Sequence, residues 1–279
     1  MVVTTQKNIE TEALMPHFGV KVRGFDFEPN DRNCDFVYDT LRERKLICFK
    51  DADLSNSQLE SFFRVVGPLW GDGKDEEGGN VKKRHLVKNF PTITKVSNVK
   101  RGLHRSKRIS WHSDLCHRPV ELTRRPGRVL YGKVIKGKTA PTRFLDTEKA
   151  LSYFKKSELP DLTVESMAPY NTAWKEPARF PLVYTHPLNG RRALGLSGVF
   201  FHKFSELNEE ESKKLHLMIM KRVLEKGEKD TYVHSWEEGD CIFYENWGLV
   251  HFRNVIRAEG ERTLYRLTVD LKHLTTSRP

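Results

Sequence analysis

Trp111-His112-Ser113-Asp114 is the stretch on which the reading of this chain turns. Read as an extended segment, it puts His112 and Asp114 on the same side of the backbone, because side chains alternate faces along a strand. An imidazole and a carboxylate then aim at one point. That pair is two-thirds of the two-histidine, one-carboxylate set that holds non-haem Fe(II) on one face and leaves the opposite positions open. A second histidine, from far along the chain, has to complete it. A motif this short also arises by chance. The bland reading is a surface or hydrogen-bonded histidine, and the surroundings of the motif have to decide.

Basic residues crowd both sides of it. Lys82, Lys83, Arg84, Lys88, Lys100, Arg101, Arg105, Lys107 and Arg108 precede His112, and Arg118, Arg124, Arg125 and Arg128 follow. They supply much of a formal net charge of +11 and a pI of about 9.4. Such an excess fits an anionic substrate, an acidic membrane surface, nucleic acid or a solubilising surface. Its closeness to the motif points to the first, with a solvated basic face as the competing account. Upstream, Gly71 to Asn80 is glycine-rich and charged with nothing to bury, which reads as a mobile loop. The stretch 71–110 as a whole is expected to be a mobile, basic active-site loop region. Its glycines do not follow a strand and open a helix, so a phosphate-cradling loop is not indicated.

The chain has 279 residues, 38% hydrophobic and 30% charged, the balance of a soluble globular protein. With no linker to divide it, residues 1–279 are expected to form one domain. No apolar run approaches the roughly 18 residues a membrane span needs, and Met1 to Glu10 lacks the pattern of a secretory signal. The expected location is cytoplasmic, with peripheral contact at the inner face of a membrane open. Cys34, Cys48, Cys116 and Cys241 form no C-x-x-C pair and are expected to be free thiols.

Further along, residues 16–27 alternate as a short strand with a turn, 35–44 reads as a helix, and Leu46-Ile47-Cys48-Phe49 as a buried strand. Ser55 is expected to cap a helix over 56–66 whose Leu59, Phe62, Phe63 and Val66 form one apolar stripe. Strands are expected at 93–96, 129–135 and 241–244, a helix over 147–154 capped by Thr147, and an amphipathic helix over 208–224. His186-Pro187-Leu188-Asn189-Gly190 reads as a turn joining antiparallel strands. Short β segments with a few helices predict a mainly β fold with flanking α, a double-stranded β-helix (jelly roll) core.

The C-terminal third supplies what the motif lacks. Asn246 to His251 leaves a buried strand and ends in a histidine, and eleven residues later Arg262 opens another strand. On it Arg262, Leu264, Arg266 and Thr268 share one face. Two arginines facing inward are costly unless anions bind there. If the face looks outward, both are merely solvated.

At this point the sequence resembles the taurine dioxygenase-like (TauD/TfdA) family of iron(II)- and 2-oxoglutarate-dependent oxygenases. The resemblance covers nearly the whole chain, through Gly19 to Asp26, Trp111 to Asp114, Thr142, Tyr184 to Arg191, Trp236 to Asp240, Asn246, His251, Arg262 and Arg266. It implies that His112, Asp114 and His251 bind Fe(II), that Thr142 hydrogen-bonds the co-substrate 2-oxoglutarate, and that Arg262 grips its distal carboxylate. In this family the keto-acid end of the co-substrate chelates the metal and O2 takes a remaining position. Arg266 matches a position that meets the anion of the primary substrate. Around Thr142 the chain departs from the family, with Thr139-Ala140-Pro141 in place of paired glycines and an acid.

The resemblance implies hydroxylation of an unactivated C–H of a small substrate bearing a carboxylate, sulfonate or phosphate. An acidic sugar on a lipid or lipopolysaccharide headgroup is the alternative, with contact to an acidic membrane surface. A homo-oligomer is open. A zinc hydrolase built on the same three ligands leaves Arg262 and Thr142 without a purpose. A basic nucleic-acid-binding module accounts for the charge but not for the metal set.

Overall fold

The computed structural model describes residues 9–71, 83–99, 102–103, 108–117, 126–167, 176–254, 260–271 and 274. Its strands run β1 (Glu10–Ala13), β2 (Val20–Arg23), β3 (Leu46–Phe49), β4 (Leu86–Val87), β5 (Phe90–Ser97), β6 (Ile109–His112), β7 (Pro126–Gly137) and β8 (Thr142–Asp146). They continue as β9 (Thr163–Ser166), β10 (Ala178–Pro181), β11 (Val183–Thr185), β12 (Arg192–Leu194), β13 (Phe201–Phe204), β14 (Thr231–His234), β15 (Cys241–Glu245), β16 (Leu249–Arg253) and β17 (Gly260–Asp270). An eight-stranded sheet has the order β1-β2-β3-β15-β7-β17-β5-β4, and a four-stranded sheet the order β14-β8-β16-β6. This is the expected jelly roll.

The layers follow from alternation. Leu46 and Cys48 of β3, Leu130 of β7, Ile242 and Tyr244 of β15 and Leu264 of β17 turn inward to meet Phe144 and Leu249 of the smaller sheet. Their neighbours Ile47, Phe49, Val129, Tyr131, Cys241 and Phe243 turn outward under the helices Asp31–Arg44 and Asn56–Val66. β3, and β15 up to Tyr244, are therefore continuously apolar, as strands covered on both faces tend to be. On the far side, Leu145 and Val250 of the smaller sheet pack against Ile219 and Val223 of the helix Glu209–Gly227. Burying each large side chain in these layers is worth about 1.5–3 kcal/mol.

The helix over 56–66 begins at Ser55, whose hydroxyl and the Gln58 side chain form a reciprocal cap, and Asn208 with Glu211 does the same for Glu209–Gly227. Three expectations change. The first helix starts at Asp31, because the Asn30 side chain accepts from Asn33 N. The helix after β8 is capped by Asp146, whose carboxylate accepts from Glu148 N, so Thr147 is its first residue, and it ends at Leu151. Within 16–27 only Val20–Arg23 is strand, and it pairs with β1, all four residues of which are exposed. The turn at 186–190 joins β11 and β12 antiparallel, with Gly190 at φ 71°.

Of the stretch 71–110, residues 72–82, 100–101 and 104–107 lie outside the described residues, as do the basic residues of 118–125; Phe90–Ser97 is a strand of the larger sheet. The four cysteines are free and buried. Among the described residues, no helix is long and apolar enough to cross a membrane.

Candidate metal centre

His112 ends β6 and His251 lies in the middle of β16, and the two are direct cross-strand partners. On each strand the preceding residue, Trp111 or Val250, packs outward, so both imidazoles face the interior with ring centroids 4.2 Å apart. Asp114 does not continue the strand as the sequence reading expects. β6 stops at His112, and Leu115 at φ 63° turns the chain. Asn246 holds the turn: its Oδ1 accepts from Asp114 N at 3.0 Å and its Nδ2 donates to Asp114 O at 2.7 Å. Asp114 Oδ1 is thereby 3.7 Å from His112 Nε2 and 3.8 Å from His251 Nε2. The three donor atoms lie within 4.8 Å of one another, close enough to share one cation.

Asn246 is itself placed by a buried pair. Glu245 accepts from the backbone N–H groups of Trp247 and Gly248 and lies 3.2 Å from His186 Nε2. Since His186 Nδ1 accepts from Leu188 N, its Nε2 carries the proton that goes to Glu245. A Cβ on Gly248 would stand 2.8 Å from His186 Nε2 and 2.9 Å from Glu245 Oε1, so only glycine fits. The Tyr184 hydroxyl donates to Trp247 O. The stretch Tyr184 to Arg191 thus acts through the loop that carries Asn246.

The electrostatics suit a cation. His112 Nδ1–H donates to Ser110 O at 2.7 Å, which leaves the Nε2 lone pair facing the interior. Burial lowers the pKa of His112, and burial together with the His112 charge lowers that of His251 to about 3. Both imidazoles are therefore neutral at neutral pH, the form a metal requires. Burial alone raises the Asp114 pKa, but the charges of Arg128, His251, His112 and Arg266 outweigh it and hold the carboxyl well below the usual range.

Arg128 is the residue the sequence reading misplaced. Counted there among the flanking basic run, it is 1% exposed, with Nε 2.8 Å from Asp114 Oδ2. The Tyr244 hydroxyl donates to the same oxygen at 3.3 Å. The available signal was period two: Arg128 shares a face with Leu130 on a strand whose other face is Val129 and Tyr131.

A second site lies along β17. Arg262, Leu264, Arg266 and Thr268 do share the inner face, opposite the outward Leu267 and Val269. Arg262 is 2% exposed; its Nη2 donates to Thr142 Oγ1 at 3.0 Å, and its Cζ sits 5.4 Å from the Trp236 ring centroid. Trp236 Nε1 donates to the same oxygen at 2.9 Å. With both acceptor positions used, the Thr142 hydroxyl keeps its proton for a further acceptor. Arg262 Nε and Nη1 are buried with no hydrogen-bond partner, and among the described residues no carboxylate pairs with this guanidinium. Burial, helped by the charge of Arg253, lowers its pKa to about 9. Thr142 therefore lies beside Arg262 despite the altered preceding residues. Arg266 is half-buried and close enough to Asp114 to help keep it ionised.

Two neutral imidazoles and one carboxylate fit Fe(II), and a buried arginine with open donors beside a threonine hydroxyl fits the carboxylate of a keto acid. Comparison with known proteins agrees. The family model described as "Taurine catabolism dioxygenase TauD, TfdA family" matches residues 10–268. Over 259 residues the chain is 24% identical to the alpha-ketoglutarate-dependent 2,4-dichlorophenoxyacetate dioxygenase of Cupriavidus pinatubonensis, covering 82% of this chain and 85% of the relative. Over 232 residues it is 24% identical to the (S)-phenoxypropionate/alpha-ketoglutarate-dioxygenase of Sphingobium herbicidovorans, covering 75% and 76%. A taurine dioxygenase from Burkholderia xenovorans superposes with a TM-score of 0.74 at 19% identity, over 95% of this chain and 91% of that one. AAD-2 in complex with Mn(II) and N-oxalylglycine gives 0.75 at 22% identity, over 95% and 98%.

Proposed function

The chain belongs to the taurine catabolism dioxygenase TauD, TfdA family, and from that membership we propose that it hydroxylates an unactivated C–H bond of a small anionic substrate. It is an alpha-ketoglutarate-dependent dioxygenase that uses Fe(II), 2-oxoglutarate and O2. That sets aside the zinc hydrolase and the nucleic-acid-binding module. In the proposed site His112, Asp114 and His251 hold the iron, Thr142 and Arg262 hold 2-oxoglutarate, and Arg266 meets the anion of the substrate.

Iron and 2-oxoglutarate, when bound, supply oxidative decarboxylation to succinate and CO2 coupled to oxygen insertion into a C–H bond. The rest is done by side chains. His112 and His251 offer neutral nitrogen donors because burial keeps protons off them. Arg262 pairs its open donors with the distal carboxylate, where a planar fork outperforms an ammonium. Thr142 donates the proton its other bonds leave over. Phe144, Tyr244 and Phe200, with ring centroids 5.2–6.1 Å from one another or from the imidazoles, line the interior and exclude water.

The observation that carries the substrate reading is Arg266, a second cation on the inner face of β17 whose charge is felt by Asp114 and Tyr244. Two relatives support it by name, since 2,4-dichlorophenoxyacetate and phenoxypropionate are both carboxylates. The test is succinate release with matched neutral and anionic substrates at low and high salt. The native enzyme is expected to prefer the anions, and Arg266→Gln to lose that preference. Equal kcat/KM for both classes, unchanged by Arg266→Gln, removes the anionic-substrate reading.

A further inference from the structure

Arg128 has no place in the ligand set or in the co-substrate pocket, yet it is among the most deeply buried side chains of the protein. It stands on β7, the strand between β15 and β17, directly opposite Tyr244 on one side and Thr268 on the other. Those neighbours fix it. Its Nη1 donates to Thr268 Oγ1, and its Nε reaches Asp114 Oδ2 at 2.8 Å. Tyr244, the opposite neighbour, donates to that same Oδ2. One oxygen of Asp114 is thus in ion-pair contact with Arg128 and accepts from Tyr244, both on the larger sheet, while the other, Oδ1, faces His112 and His251.

A carboxylate free to turn about its last bond can give a cation one oxygen or both. The choice matters at an octahedral metal held by two imidazoles and one carboxylate. At six-fold coordination a single Asp114 oxygen and a co-substrate bound through two atoms would leave one position open. Two Asp114 oxygens would leave none. From this geometry we infer that Arg128 is a positioning residue: by holding Oδ2 it confines Asp114 to one-oxygen coordination and so keeps a metal position open. The inference rests on the proposed metal site. Losing Arg128 alone would leave the Asp114 carboxylate without its counter-charge, so its positioning role is read at the metal and not from stability.

Mn(II) and 2-oxoglutarate serve as probes, read by the broadening of the Mn(II) electron paramagnetic resonance lines in 17O-enriched water, which reports metal-bound water. The native complex is expected to show the broadening of one bound water. Arg128→Met is expected to bind Mn(II) and lose that broadening, and Arg128→Lys to recover part of it. Broadening in Arg128→Met equal to that of the native complex overturns the inference and leaves the metal site standing. Failure of the native chain to bind Mn(II), or binding undiminished in His112→Ala, overturns the metal site and this inference with it. A crystal structure of the native Mn(II) complex asks the same question without a variant. Asp114 bound through Oδ1 alone, with Oδ2 still on Arg128, supports the assignment, and both oxygens on the metal overturn it.

Discussion

Arg128 and Arg262 project from neighbouring strands of the larger sheet into the same interior, 1% and 2% exposed, yet they end in opposite surroundings. Arg128 meets a carboxylate, a threonine and, through Asp114, a tyrosine. Arg262 meets a threonine oxygen and the face of an indole, and two of its nitrogens have no hydrogen-bond partner among the described residues. A buried charge is tolerated when paired and is expensive when not. Asp114 therefore finds its counter-charge within the chain itself. Among the described residues no carboxylate meets Arg262, and the proposed co-substrate would supply one, so the two arginines predict different phenotypes.

The largest effect is expected at the three proposed metal ligands. His112→Ala, Asp114→Ala and His251→Ala each remove one of three donors, so calorimetric Mn(II) binding and succinate production should vanish while circular dichroism stays native. Among these three, Asp114→Ala also strands Arg128. Urea unfolding of the metal-free protein should show a loss of about 3–5 kcal/mol for it, beyond that of either histidine variant. Equal stability of all three variants would break the distinction between the paired and the open region.

A smaller effect is expected from Thr142→Val. It removes the acceptor of Arg262 Nη2 and Trp236 Nε1, leaving buried donors unmet at about 1–3 kcal/mol. Chemical denaturation measures that loss, and steady-state assays should show a raised KM for 2-oxoglutarate. The smallest effect is the acid response of the metal-free chain. His251 titrates near 3 in the folded state against 6.5 for the free group, so between those values the unfolded chain binds a proton the folded chain refuses. Stability falls as pH drops through that window. Asp114, with its folded pKa lowered, adds stability that is present above the ordinary carboxylate range and lost as pH falls further. Urea midpoints should decline from pH 7 to pH 5, and more shallowly in His251→Phe.

Local signals made much of this legible. Ser55 marks its helix because a side-chain cap is written within three residues, and the face shared by Arg262, Leu264, Arg266 and Thr268 on β17 follows from period two, while its inward direction does not. The pairing of His112 with His251 across 139 residues rested on a family resemblance, since no local rule joins β6 to β16. Position within the sheet was not legible. Arg128 read as one more basic residue because its burial depends on β15 and β17 flanking it, and β1 escaped notice because an exposed polar edge strand carries no hydrophobic alternation. Asp114 looked like a strand residue because nothing nearby in sequence announces that Asn246 will hold a turn there.

The central claim, that Arg262 is an unpaired cation kept for the co-substrate, is tested most directly by one paired measurement on the native protein and Arg262→Met. Calorimetry reports 2-oxoglutarate binding to the Mn(II)-loaded protein, and thermal unfolding reports the stability of the metal-free chain. Losing a desolvated charge pair costs about 2–5 kcal/mol, or about 30-fold to several-thousand-fold in Kd. The account predicts weakening of that order in Arg262→Met, with a melting temperature unchanged or raised because an unpaired buried charge is gone. An unchanged Kd, or a metal-free variant that melts far below the native chain, contradicts it.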